Sequence, residues 1–167
     1  ADLQYQAQVA KWVNADVINI PAGGAYGDKD KALQRLAETV RKLPTPVRSR
    51  LTLENDDRTY TPRDLLPVCK KLGIPLVYDV HHHRCLPDGR NVADTTQRAL
   101  ETWNREPLFH VSSPLKPWGD GNPRHHHDYI NPEDFPESWL NLDITVDVEA
   151  KAKELAVLKL IGEIEGL

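Results

Sequence analysis

The sequence predicts a parallel α/β fold, and two observations lead to that prediction. Short, nearly continuous apolar runs recur roughly every 25 to 35 residues, which is the repeat of a βα unit. Segments with apolar residues at helical spacing lie between these runs. A closed β/α barrel needs eight strands and ~250 residues, whereas this chain of 167 residues offers five strand candidates. We therefore expect a single domain over residues 1–167, either the C-terminal part of a β/α barrel or a compact open α/β domain.

The strand candidates are apolar at almost every position, as is typical of strands buried on both faces of a parallel sheet. Each is followed by polar or turn-forming residues, so each has a recognisable carboxyl end. Since parallel strands share one carboxyl edge, we expect the residues that follow them to meet there. In chain order the candidates are Val17–Ile20, Arg50–Leu53, Leu76–Tyr78, Leu108–Val111 and Leu142–Val146.

The helical segments are predicted by apolar residues that recur on one helical face. The third segment begins with Thr61 and Pro62, a cap followed by proline at the first helical position, and it stops at Gly73. The stretch Pro114–Pro136 is rich in Pro, Gly, Asp and His and predicts one long loop after the fourth strand, of a kind that is usually functional or mobile. The predicted helices are Leu3–Asn14, Asp28–Leu43, Thr61–Leu72, Val92–Asn104 and Glu149–Glu165.

Composition and charge exclude several classes of protein. Apolar residues make up 40% of the chain and charged residues 28%, as in ordinary globular proteins. No apolar run approaches the ~20 residues that span a bilayer, and no signal peptide is recognisable. The net charge of −4 argues against a protein that coats nucleic acid, but it allows an enzyme that acts on DNA.

The first residue and the cysteines bear on processing and location. The chain begins at Ala1 and contains no methionine, which indicates a processed chain or a fragment. Cys69 and Cys85 lack the spacing of a metal site and predict free thiols in a reducing compartment. We therefore expect a cytoplasmic protein.

Ligand-type side chains cluster at the predicted strand ends. All seven histidines fall between positions 81 and 127, in two triplets and the single His110. Imidazole and carboxylate ligands together suit Zn²⁺, Mn²⁺ or Fe²⁺. The candidates are too numerous for one ion, so a cluster of two or three is expected, which suits displacement at phosphorus. The residues expected to share this space are Glu54, Asp79, His82, His110 and Glu149.

Each of these residues also has a purely structural interpretation. A single strand histidine such as His110 is more often packed than a ligand, and a strand-end carboxylate such as Glu54 often caps the next helix. The histidine triplets are compatible with solvated loops, and Gly23, Gly24 and Gly27 with turns. Successive strands that each end in a ligand-type side chain favour the metal site.

Several motifs, taken together and in this order, resemble the UV damage endonuclease family. They include Leu-Glu-Asn-Asp-Asp at 53–57, Asp-Val-His-His-His at 79–83 and His-Val-Ser-Ser-Pro at 110–114. The Gly-Gly-Ala-Tyr-Gly-Asp-Lys run at 23–29, the His-His-Asp-Tyr-Ile run at 126–130 and the run that begins at Glu149 match as well. The resemblance extends almost from end to end.

The resemblance implies a fold and a ligand set. The family is a TIM barrel related to endonuclease IV, so this chain would be its five C-terminal βα units, a partial barrel without the N-terminal strands. The family patterns Asp-x-x-His and His-x-Asp-Tyr select one histidine from each triplet. The chain departs from the family pattern at Pro21, where a ligand histidine is usual, and at Leu108, where a lysine is usual. The implied metal ligands are Glu54, Asp79, His82, His110, His126 and Glu149.

The resemblance also implies an activity, a cofactor and a partner. Family members nick double-stranded DNA immediately 5′ of ultraviolet photoproducts and so start excision repair. They use a divalent metal cluster, for which Mn²⁺ is expected and Zn²⁺ or Mg²⁺ are alternatives. Glu54 and Glu149 would anchor the metals as catalytic residues, while Asn55, Ser112, Ser113 and Lys151 would orient ligands or contact the DNA backbone. We expect a monomer that acts at the nucleoid of a prokaryotic cell and has no membrane as a partner.

Two other interpretations stay open. A sugar isomerase or epimerase of similar barrel design would also place Glu, Asp and His around divalent metals. A test of whether the chain binds damaged DNA or a small polyol would separate the two. A truncated, inactive remnant is the second alternative, favoured by Pro21, Leu108 and the missing strands.

Overall fold

Five parallel strands form one sheet in the computed structural model, which describes residues 2–164. The strands lie side by side in chain order, and every neighbouring pair is parallel. All carboxyl ends therefore lie at one edge of the sheet. The strands are β1 (Ile18–Pro21), β2 (Leu51–Glu54), β3 (Leu76–Asp79), β4 (Leu108–Val111) and β5 (Thr145–Val148).

Parallel strands need a crossover connection, and α-helices supply it between the first four strands. Two 3-10 turns, Pro132–Asp134 and Glu137–Trp139, lie between β4 and β5. Within residues 2–164, we find no helix with the length and apolar content needed to cross a membrane. The helices are α1 (Asp2–Trp12), α2 (Lys29–Arg41), α3 (Thr45–Arg48), α4 (Pro62–Leu72), α5 (Val80–Cys85), α6 (Val92–Leu100) and α7 (Glu154–Ile164).

The core lies around the three central strands. Leu53 and Leu76 are fully buried there, as are Tyr78 and Phe109. Trp139 packs on both aromatic rings, with its centroid 6.0 Å from that of Tyr78 and 5.2 Å from that of Phe109. Tilted and edge-on pairs of this kind add about 0.5–1.5 kcal/mol each beyond the area that they bury. This packing fixes the strands whose ends carry the candidate site.

The predicted signals at the ends of α4 are confirmed. The Thr61 side chain accepts from the Asp64 backbone N–H, and the Asp64 carboxylate accepts from that of Thr61. Gly73 ends the helix in the left-handed conformation, with φ of 64°, which glycine adopts without steric cost. Both thiols are free, with Cys69 buried and Cys85 half-buried.

The last strand lies later than predicted. The prediction was Leu142–Val146, whereas β5 spans Thr145–Val148. Thr145 is the first residue in register with β4, opposite Leu108. Leu142 and Ile144 are apolar because they pack against the core before strand pairing begins.

Two helices are shorter than predicted. The last begins at Glu154 instead of Glu149, because residues 151–153 form a turn in which the Ala152 N–H donates to the Asp128 carbonyl at 3.0 Å. The predicted end at Glu165 lies outside the described residues. The helix predicted to end at Asn104 ends at Leu100, and the Trp103 indole then donates to the Leu76 carbonyl at 2.8 Å.

Two segments around the histidine triplets are more ordered than predicted. The first triplet, His81–His83, lies on the short helix α5, which the sequence did not predict. The stretch Pro114–Pro136, predicted as one loop, contains a 3-10 turn and an antiparallel bridge between Pro114 and His126. Both triplets are thereby held close to the sheet.

Candidate metal centre

The carboxyl ends of β2 to β5 bring four predicted ligands together. Glu54 ends β2, Asp79 ends β3, His110 lies in β4 opposite Asp79, and Glu149 follows β5. One potential ligand atom from each lies within 4.8 Å of the others, and a second such group combines Glu149 with His82 and His126. All six residues that the resemblance implied as ligands thus share one site.

Helix α5 selects His82 from the first triplet. Asp79 caps this helix, and its Oδ1 accepts from the His82 backbone N–H at 2.7 Å. The His82 Nδ1 donates to the Asn55 carbonyl at 2.9 Å and lies 3.2 Å from Asp79 Oδ2. Because a carbonyl only accepts, Nδ1 carries the proton, which leaves a lone pair on Nε2 of the neutral ring.

The other two histidines of the triplet are used elsewhere. The His83 Nε2 donates to Asp88 Oδ1 at 3.0 Å, and its Nδ1 accepts from the Tyr78 hydroxyl at 2.8 Å. His81 is fully buried, with its ring centroid 5.3 Å from that of Trp118. The contacts of His83 are structural, whereas the buried Nδ1 of His81 has no hydrogen-bond partner among the described residues.

The long loop supplies His126 from the second triplet. The backbone bridge between Pro114 and His126 ties this part of the loop to the segment that follows β4. His126 Nδ1 lies 3.9 Å from Glu149 Oε2, and its Nε2 lies 3.4 Å from the Ser112 hydroxyl. The neighbouring His125 and His127 are exposed.

The polar atoms of the cluster suit a bound cation. Among the described residues, neither Asp79 Oδ2 nor His110 Nδ1 has a hydrogen-bond partner, although both atoms are buried. His110 Nδ1 lies 3.5 Å from Glu54 Oε1 and 3.3 Å from Glu149 Oε1, without hydrogen-bond geometry. Buried polar atoms are normally paired. Two orphaned atoms among converging carboxylates and imidazoles fit a divalent metal.

The charges of the cluster depend on one another. Burial alone would lower the pKa of His82 and His110, but the carboxylates around them raise it to about 9 and about 10. Burial alone would raise the pKa of Glu54, but contact with both histidines lowers it to about 2. Contact with His110 also lowers the pKa of Glu149, whereas burial raises that of Asp79 to about 7. Without metal, protonated histidines neutralise the carboxylates.

The residues predicted to orient ligands or contact DNA lie in two environments. Asn55 is fully buried and pairs with the Asp79 backbone, donating to its carbonyl at 2.9 Å and accepting from its N–H at 3.0 Å. Ser112 and Ser113 are also buried. Lys151 is exposed, with its Nζ 4.0 Å from Asp128. Burial therefore favours positioning roles for the first three.

The sequence did not reveal two polar contacts at the site. Asn19 of β1 donates from its amide to Glu54 Oε2. Arg124 of the long loop lies with its Nε 3.0 Å from the Asp57 carbonyl and 3.1 Å from Asp57 Oδ2. Asn19 was detectable in principle, because it precedes Pro21 by two residues on the same face of the strand.

Comparisons with known proteins agree on one family. Residues 2–167 match the family described as UV-endonuclease UvdE. A UV DNA damage endonuclease of Bacillus velezensis is 40% identical over 165 residues, covering 92% of this chain and 50% of the relative. One from Bacillus pumilus is 36% identical over 178 residues, covering 99% of this chain and 55% of the relative.

The fold of this chain is similar to that of a protein whose structure has been solved. The crystal structure of SacUVDE matches with a TM-score of 0.87 and 28% identity, over 98% of this chain and 56% of that chain. The present chain therefore spans about half the length of the curated relatives and of the solved structure that it matches.

Proposed function

Because the chain belongs to the UV DNA damage endonuclease family, we propose that it carries most of the metal site of such an enzyme. The reaction would be metal-dependent hydrolysis of the DNA phosphodiester 5′ to an ultraviolet photoproduct. The observation that supports it best is the convergence of six ligand-type residues around two orphaned buried atoms. Family membership also favours the endonuclease over a sugar isomerase.

The residues that would hold the metals are Glu54, Asp79, His82, His110, His126 and Glu149, and Mn²⁺ is the expected ion. When bound, divalent cations supply Lewis-acid stabilisation of the charge that develops on the phosphate and make water a stronger acid. The protein contributes geometry. Asn55 fixes the end of β3 through both backbone groups of Asp79, and the strand-end positions hold the ligands on rigid elements.

Glu54, Glu149 and Lys151 have separate proposed roles. Glu54 and Glu149 each lie close to more than one histidine, so each is placed to anchor metals as a catalytic residue. Lys151 projects from the turn after β5 and would contact a DNA phosphate, since its nearest anionic partner is 4.0 Å away. Damaged double-stranded DNA is the proposed substrate of a monomeric enzyme.

The sheet supports a place for this chain within a larger barrel. Strands in unbroken chain order, all parallel, are the arrangement of successive units in a TIM barrel. The chain also spans about half the length of its relatives. We infer that its strands are the five C-terminal units of such a barrel.

Substitution of the ligands tests the proposed site. His110→Ala and Glu149→Gln should each abolish incision of a duplex that contains one photoproduct and a 5′ label, in a protein that includes the N-terminal strands. Removing one hydrogen-bond donor from an oxyanion hole costs about 10²–10³-fold in rate, and we expect the loss of a metal ligand to cost at least as much. His125→Ala is the matched control, because His125 is exposed outside the ligand cluster and should leave the rate unchanged. Near wild-type incision by either ligand variant would disprove the assignment.

A further inference from the structure

The two oxygens of Glu54 face different partners. Oε1 lies 3.4 Å from His82 Nδ1 and 3.5 Å from His110 Nδ1, on the side of the ligand cluster. Oε2 accepts a hydrogen bond from the side-chain amide of Asn19, on the side of β1. One oxygen is thus directed at the imidazoles while the other is already paired.

Asn19 is itself held by Thr52. These two residues are opposite each other in the β1–β2 register, and the fully buried Thr52 hydroxyl donates to Asn19 Oδ1 at 3.0 Å. Rotating the amide by 180° would turn its oxygen toward the Glu54 carboxylate, and both groups would be acceptors. The Glu54 carboxylate, which only accepts, therefore fixes which end of the amide faces it, and the Thr52 hydroxyl donates to the other end.

Among the described residues of β1, no side chain beside Glu54 offers a cation a lone pair. Pro21 is opposite Glu54 in the register, and its side chain has no polar atom. The group of Asn19 that faces Glu54 is an amide NH₂, which only donates. A cation placed between β1 and Glu54 Oε2 would meet the positive end of that dipole.

We propose that Asn19 is a positioning residue that, braced by Thr52, restricts Glu54 to a one-oxygen metal ligand through Oε1 and closes the β1 side of the site to a cation. This inference rests on the proposed metal site. Thr52 then acts only through Asn19. The property of Asn19 that positions Glu54 and excludes a cation is its side-chain hydrogen-bond donor.

Mn²⁺ titration followed by electron paramagnetic resonance tests the proposal. Asn19→Ala should weaken Mn²⁺ binding about tenfold, within the range seen when a residue that supports a metal ligand is removed. Thr52→Val should weaken it less, and the double variant should bind no more weakly than Asn19→Ala alone. The isosteric Asn19→Asp replaces the donor by an acceptor and should bind one additional Mn²⁺ per chain.

Two further measurements separate positioning from loss of structure. Circular dichroism should be unchanged in Asn19→Asp, whose side chain has the same size, although the new carboxylate beside Glu54 should lower the unfolding temperature of the metal-free chain. Asn141→Ala, at an exposed asparagine outside the cluster, should bind like the wild type. Wild-type affinity in both Asn19→Ala and Thr52→Val, or wild-type stoichiometry and affinity in Asn19→Asp, would overturn the proposal while leaving the metal site intact.

A metal-free measurement distinguishes this inference from the proposed function. In the wild-type chain, NMR should show a downfield-shifted, slowly exchanging Asn19 side-chain amide whose signal moves in Glu54→Gln. A wild-type chain that binds no Mn²⁺ would overturn the proposed function and the ligand role of Glu54 together. A freely exchanging Asn19 amide would overturn the pairing itself, whatever the metal result.

Discussion

At the scale of single residues, His82 and His110 would connect protonation to the proposed metal binding. Their pKa values of about 9 and about 10 lie above the ordinary value of 6.5, because carboxylates surround them. Both rings therefore carry an extra proton in the metal-free protein near pH 7. A histidine must give up that proton to bind a metal, so metal affinity and pH are linked.

Mn²⁺ binding should therefore release protons. At pH 7.5 we expect close to two protons per chain, and binding that weakens steadily as the pH falls. Calorimetric titrations in buffers of different ionisation enthalpy measure the number released. His110→Ala should release about one proton fewer, whereas proton release below half a proton in the wild type would contradict the charge state assigned to the cluster.

The same pKa shifts predict how the stability of the metal-free chain depends on pH. Folded-state pKa values above the unfolded value of 6.5 favour the folded state fully below pH 6.5, and this contribution is lost as the pH rises through about 9 to 10. The midpoint of thermal unfolding should therefore fall as the pH rises from 6.5 to about 10. His82→Ala should flatten the decline, and an unchanged slope in that variant would contradict the prediction.

At the scale of elements, the long loop shows how a distant segment reaches the site. Arg124 contacts Asp57, which lies in the loop after β2, so the pair joins two segments that the strands do not connect. His126 is two residues further along the same loop. The ion pair is partly exposed, so its direct effect on stability should be below about 1 kcal/mol.

Arg124→Ala should therefore affect the site more than the fold. We expect Mn²⁺ binding to weaken severalfold and limited proteolysis within residues 115–125 to become faster, while the unfolding midpoint hardly changes. Lys116→Ala, at an exposed position in the same loop, is the control. Equal Mn²⁺ affinity in both variants would show that Arg124 does not position His126.

Sequence signals predicted elements where local chemistry decides the structure. Thr61, Pro62 and Gly73 bound α4 through caps that depend only on neighbouring residues. Helix α5 escaped prediction because it has six residues and its cap, Asp79, is also the end of a strand. The start of β5 was misplaced because Leu142 and Ile144 are apolar for tertiary packing, which a local pattern does not separate from strand pairing.

The candidate site also has features that the sequence predicts and features that depend on contacts between distant residues. The convergence of the proposed ligands was predictable, because the parallel sheet brings the strand ends to one edge and the family motifs point to one histidine in each triplet. The contact of Arg124 was not predictable, since a single arginine in a loop carries no local signal of its partner, and for Asn19 the only signal was the strand face that it shares with Pro21. Those contacts join positions 35 and 67 residues apart in the chain.

At the scale of the whole molecule, the fold brings the six proposed ligands together in a chain that spans about half the length of its relatives. The chain alone should bind Mn²⁺, yet it should incise a photoproduct duplex about a hundredfold more slowly than a version with the N-terminal strands, because imprecise substrate placement has that cost. Incision assays on both versions at saturating Mn²⁺ make the comparison. Equal rates would show that the five units suffice, and failure of both would favour an inactive remnant.

The strand order has a consequence for how such a chain folds and divides. Within residues 2–164, each strand pairs only with its immediate neighbours in sequence, so β1 and β5 have one partner each. Pairings are therefore local, as in repeat proteins, where stability is close to a sum over units and their nearest-neighbour interfaces. Separating five units from a closed barrel would break two strand interfaces, one at each end of the segment, and would leave the interfaces among the five units intact. Modularity of this kind would allow part of a barrel to keep the geometry of its carboxyl edge.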